Sequence, residues 1–71
     1  MTVALLWVGY YEPYLDGVFQ DVERAKDHVS TECRLRGWPD PTWAGNSGYT
    51  RWQDGTDQRI KSWKIQEVEV H

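Results

Sequence analysis

The chain has 71 residues, with 8 basic and 11 acidic side chains for a net charge of −3 and a pI near 5.2. Residues 1–71 therefore read as a single small domain, below the size at which chains divide. The charge excludes a histone-like nucleic-acid wrapper, and it is too mild for a DNA-mimicking acidic surface or a disordered acidic tail.

Thr2 to Tyr11 is apolar on both alternating faces, with Val3, Leu5, Trp7 and Tyr11 on one and Ala4, Leu6, Val8 and Tyr10 on the other. Such a run predicts a central strand covered on both sides, interrupted at Gly9 by a bulge or a close backbone approach. Glu12 to Gly17 supplies turn chemistry, and Val18-Phe19-Gln20 returns as a short strand, so the chain opens on a β-hairpin. Asp21 has the chemistry of an N-cap. Val22, Ala25, Val29 and Cys33 then fall at i, i+3, i+7 and i+11, a narrow apolar stripe that predicts a helix over 22–36. Gly37 suits the left-handed residue that ends it, and Pro39 prevents continuation.

Trp38 to Gly48 reads WPDPTWAGNSG, which has no periodicity and is expected to be a loop of about eleven residues. Tyr49 to Gln53 reads as a strand, Asp54 to Asp57 as a turn and Arg59 to Val70 as the last strand. Within it, Trp63 and Ile65 have the opposite parity to Val68 and Val70. Either both faces are covered or a bulge near Gln66 shifts the register.

The order β-β-α-β-β predicts an α+β fold, a small antiparallel sheet with one helix packed on a face. The second face of that sheet is left to Trp and Tyr side chains, the long loop or a second subunit. Ordering the chain costs roughly 1.5 kcal/mol per residue, which a core this small barely offsets. A single cysteine, Cys33, excludes an internal disulfide and a cysteine-rich zinc site. The five Trp, four Tyr and one Phe look like the substitute, since a buried ring hides roughly 150–250 Å².

Catalytic signals are missing. His28 and Cys33, five positions apart on the helix, do not face one another as a nucleophile and base would. Cys33 falls in the apolar stripe and reads as a core residue, His28 as a boundary residue and His71 as solvated. There is no Gly-rich phosphate loop and no HExxH or GxSxG pattern. Asp54 and Asp57 are explained by turn geometry and lack the further acids of a calcium loop. No catalytic residue, metal site or cofactor is expected.

Charge is unevenly spread: residues 1–33 carry six acidic and two basic side chains, whereas 34–64 carry six basic and three acidic. The basic stretch also holds Trp38, Trp43, Trp52 and Trp63. Basic residues interleaved with aromatics suit protein interfaces, where Trp, Tyr and Arg are enriched, and single-stranded nucleic-acid grooves, where bases stack on rings. The expected contact set is Trp43, Arg51, Trp52, Arg59 and Lys61, supported by Trp38.

The run Gly17-Val-Phe-Gln-Asp-Val-Glu-Arg-Ala, with Trp63-Lys-Ile-Gln-Glu-Val-Glu-Val closing the chain, resembles small uncharacterised proteins of actinobacterial bacteriophages and related bacteria. The resemblance covers about half the chain and is structural. It implies an accessory protein that binds a host protein and alters its activity, and no site residue follows from it. The expectation is a non-enzymatic module that docks on a cellular protein with an acidic surface, through its basic Trp-rich face or a sheet edge. Single-stranded nucleic-acid binding on the same face is the alternative, and a homodimer through the uncovered sheet face is the third reading. No apolar run approaches the ~20 residues of a membrane span, and Val3 to Val8 lacks the flanks of a signal peptide, so no membrane contact and a cytoplasmic location, the host cytoplasm if phage-encoded, are expected.

Overall fold

A computed structural model describes Met1–His71. The helix α1 runs from Val22 to Arg36, the span expected from the apolar stripe. The extended backbone of Asp21 lets its carboxylate accept the Arg24 amide at 2.8 Å, which satisfies one orphan N–H of the first turn. At the other end Gly37 takes φ +74°, and the Trp38 and Gly37 amides donate back to the Cys33 and Arg34 carbonyls at 2.8 and 3.3 Å. This paired closure ends the helix and turns Trp38 back toward the core.

Around it lie five strands: β1 (Thr2–Val8), β2 (Tyr14–Phe19), β3 (Thr42–Ala44), β4 (Ser47–Asp54) and β5 (Asp57–Glu69). They form one antiparallel sheet in the order β2-β1-β5-β4-β3, with α1 packed on one face. The α+β arrangement is the expected one, with an added strand: Thr42–Ala44, within the segment expected to be a loop, pairs with β4. Gly45-Asn46 makes the connecting turn, and Gly55-Thr56 makes the equivalent turn from β4 to β5. Gly45 and Gly55 both take φ +63°, which the first central position of a two-residue hairpin favours.

Several boundaries and registers differ from expectation. Strand β1 stops at Val8, because Gly9 adopts φ +106° and the chain leaves the sheet. Strand β2 starts earlier, at Tyr14. The pairing of β1 with β5 runs without a break from Thr2↔Glu69 to Val8↔Trp63, so there is no bulge near Gln66. The irregularity lies instead in β2: Gly17 pairs with Leu6 and Leu15 with Trp7, leaving Asp16 as an extra residue.

The alternating faces of β1 have unequal cover. Ala4, Leu6 and Val8 are buried against Ala25, Val29 and Cys33 of the helix together with Trp63 and Ile65 of β5. Val3, Leu5 and Trp7 lie on the other face and are only half-buried, so the expectation of a strand covered on both sides is corrected. The helix does not reach over β4, and there the tryptophans take over. Trp38 stacks on Trp52 at 4.7 Å between ring centroids, with the planes 21° apart. The buried Thr50 hydroxyl donates to the Pro39 carbonyl at 2.8 Å and ties the segment after the helix onto β4.

Trp43 lies flat over Gly48, its cross-strand partner, so closely that a Cβ there would meet ring carbon Cε3 at 2.6 Å. Glycine is therefore required at 48 by the ring above it. Gly48→Ala is expected to lower stability by about 1–3 kcal/mol, the scale of overpacking a fitted contact. Urea unfolding followed by tryptophan fluorescence, with a lower midpoint at unchanged slope, checks it.

Candidate functional site

The six residues expected to form one contact surface divide between the two faces of the sheet. Of the strand residues among them, Trp43, Trp52, Arg59 and Lys61 share the helix side, as their cross-strand pairs show: Trp43↔Gly48, Thr50↔Lys61 and Trp52↔Arg59. Arg51 pairs with Ile60 on the opposite face. Adjacent strand residues point to opposite sides, so Arg51 and Trp52 cannot contact one flat partner together.

The helix-side group is largely engaged within the molecule. Trp38, Trp43 and Trp52 are half-buried, the first two against the core. The Lys61 ammonium lies 5.6 Å and the Arg36 guanidinium carbon 5.2 Å from the centroid of the Trp38 ring, and Lys26 lies 5.2 Å from that of Trp43. Such contacts contribute about 0.5–1 kcal/mol each at exposed positions. Arg59 lies 3.7 Å from the Asp54 carboxylate and 3.9 Å from that of Asp57. These two acids therefore serve a guanidinium at the hairpin tip.

The opposite face is uncovered. Val3, Leu5 and Trp7 of β1, Leu15 and Val18 of β2, Tyr49 of β4 and Ile60 and Val68 of β5 alternate onto it. Ile60 is 65 % exposed and Val18 58 %, high values for side chains of this apolarity. Arg51 and Lys64 are its cations, and Arg51 sits 5.4 Å from the centroid of the Tyr49 ring. No Asp or Glu of the five strands alternates onto this face, because Glu67, Glu69, Asp54 and Asp57 share parity with the helix side. The Gly9–Pro13 turn, anchored by the Gly9 amide to the Ser62 carbonyl at 3.0 Å, lines one side of it. Together with Trp7, Tyr49, Ile60 and Lys64 the turn residues Tyr10 and Tyr11 bound an open concavity of about 1160 Å³. Trp7 is oriented there by donating its indole N–H to Gln66 Oε1 at 3.2 Å.

Trp7, Tyr49, Ile60 and Lys64 were outside the expected contact set. For Ile60 and Lys64 the sequence signal is strand parity, since they alternate with Trp63 and Ile65 of the core along β5. Trp7 and Tyr49 join them only through the cross-strand pairs Trp7↔Lys64 and Tyr49↔Ser62.

Cys33 is buried, as the stripe implies, and burial, then the nearby Glu32 and Asp40 carboxylates, push its thiol up. His28 is exposed with Nε2 3.3 Å from Asp16 Oδ2, so it forms no pair with Cys33. No helix is long and apolar enough to cross a membrane. The chain matches no protein-family model, no curated protein and no solved structure.

The thiol has a consequence for pH dependence. Above about pH 8.5 the unfolded chain releases the thiol proton that the folded chain retains, so folded stability falls as pH rises through that region. Thermal midpoints measured from pH 7 to 10 should fall more steeply for the native chain than for Cys33→Ala, and equal slopes would show that the thiol is not held protonated.

Proposed function

We propose that this chain is a non-enzymatic binding protein that docks on an acidic, partly apolar surface of a cellular protein through the open face of its sheet. The observation that carries this reading is the composition of that face: apolar and aromatic side chains around Arg51 and Lys64, with no strand carboxylate turned toward them. Trp7, Tyr49 and Ile60 supply the desolvated anchors that dominate binding energy, while the two cations steer an acidic partner and fix its register. The resemblance to small phage proteins fits an accessory role of this kind, directed at a host protein.

Charge separates this reading from its competitors. A second copy laid face to face would set cations against a surface that offers them no acid, and desolvating unpaired charge is costly. Single-stranded nucleic acid would find rings to stack on, but affinity for it grows with the phosphates neutralised, and this face has two cations.

A pull-down of tagged protein from nuclease-treated lysate tests the proposal. One stoichiometric partner is expected with the native chain, and it should be lost with the double variant Arg51→Glu, Lys64→Glu, whose far-ultraviolet circular dichroism stays unchanged. The helix-side variant Trp52→Ala should retain it if folded. Recovery of the bait alone, or capture that survives the charge reversal, overturns the proposal. Oligonucleotide binding that weakens steeply with salt would instead assign the face to nucleic acid.

A further inference from the structure

Outside the open face, one group of side chains brings metal-ligand chemistry together from two elements. His28 and Glu32 are four apart on α1 and share a helix face. Asp16, the extra residue of the β2 bulge, meets them: its Oδ2 lies 3.3 Å from His28 Nε2, and one donor atom from each of the three residues lies within 4.8 Å of the others. We propose that Asp16, His28 and Glu32 bind a first-row divalent transition metal, with zinc as the representative ion.

The donor set selects the class of ion. One imidazole nitrogen with two carboxylates suits zinc, nickel or copper, whereas calcium and magnesium take oxygen ligands alone. Tetrahedral zinc with bonds of about 2.0–2.2 Å holds its ligands about 3.3–3.6 Å apart. The Asp16–His28 separation already has that value, and a Glu32 carboxylate oxygen lies within 4.8 Å of both donor atoms. The group borders a concavity of about 450 Å³ on the surface, which leaves room for water to complete the coordination. Arg36 Nε contacts Glu32 Oε1 at 3.2 Å, which steadies the carboxylate and leaves its second oxygen for a cation. The His28 ring also has an orienting neighbour, with the Phe19 ring centroid 5.1 Å from its own. The bulge thus has a purpose beyond edge irregularity: it turns a carboxylate from the sheet edge toward the helix. A bound ion would cross-link β2 to α1.

Titration of the full chain with zinc chloride, followed by calorimetry and by histidine imidazole nuclear magnetic resonance, tests the site. The expected result is one ion per chain, shifts at His28 with none at His71, and a thermal midpoint that rises with zinc. His28→Ala and Asp16→Asn should each weaken binding more than about tenfold, the least effect that supporting groups of metal sites show, with the fold intact by circular dichroism. No binding up to about 1 mM zinc overturns the proposal. So does undiminished binding in His28→Ala, which would place the ion on His71 or the terminal amine.

Discussion

One helix has to cover a sheet that is much longer than itself. At 15 residues α1 spans about 22 Å, whereas the 13 residues of β5 extend about 43 Å. The mismatch organises the molecule, whose longest dimension is 48 Å against 23 and 19 Å. Beneath the helix the core is aliphatic, built from Leu6, Val8, Val29 and Ile65 with Trp63. Past the end of the helix no further element is available, and large rings replace it. Trp38, Trp43 and Trp52 pack over β3, β4 and the distal part of β5 where a second helix would otherwise lie. Gly48 and Thr50 are the two β4 positions that receive them, one by having no side chain and the other by bonding the Pro39 carbonyl.

That division of labour decides which surface is free. The helix and the tryptophans are both spent on the same side of the sheet, so the other side keeps its apolar residues half-exposed. The long segment after the helix is held on the helix side by the closure at Gly37 and the Thr50 hydroxyl, and then joins the sheet edge by the β3–β4 pairing. The charge pattern follows from parity. The acids of β5 and of its turn alternate toward the helix side, while Arg51 and Lys64 alternate away from it. A chain with net negative charge thereby presents a sheet face whose only strand charges are positive.

Linear proximity does not decide which residues share a face, for the same reason. Along the chain Arg51 and Trp52 are neighbours in one basic, aromatic stretch. In a strand they are separated by the thickness of the sheet. The tryptophans of the basic half are engaged in packing, and the surface residues Trp7 and Lys64 come from strands rich in core residues. The Asp16–His28–Glu32 group was equally hidden. His28 and Glu32 share a helical face by spacing, but nothing local says that a bulge in a preceding strand would bring Asp16 to them.

Local chemistry determined the helix and both its ends, because caps and an apolar stripe act through residues within a few positions of one another. It also determined the α+β class, the place of Cys33 in the core and the turn from β4 to β5, where Gly55 supplies the backbone that a two-residue connection requires. The short strand Thr42–Ala44 carried a signal too, in the Gly45-Asn46 pair, although the surrounding prolines obscured it. Strand order, the register that carries Asp16 out of line and the choice of face for the Trp38–Pro41 segment were decided only in three dimensions. Each depends on contacts between residues far apart in the chain, competing for one face of a sheet that a single helix could not cover.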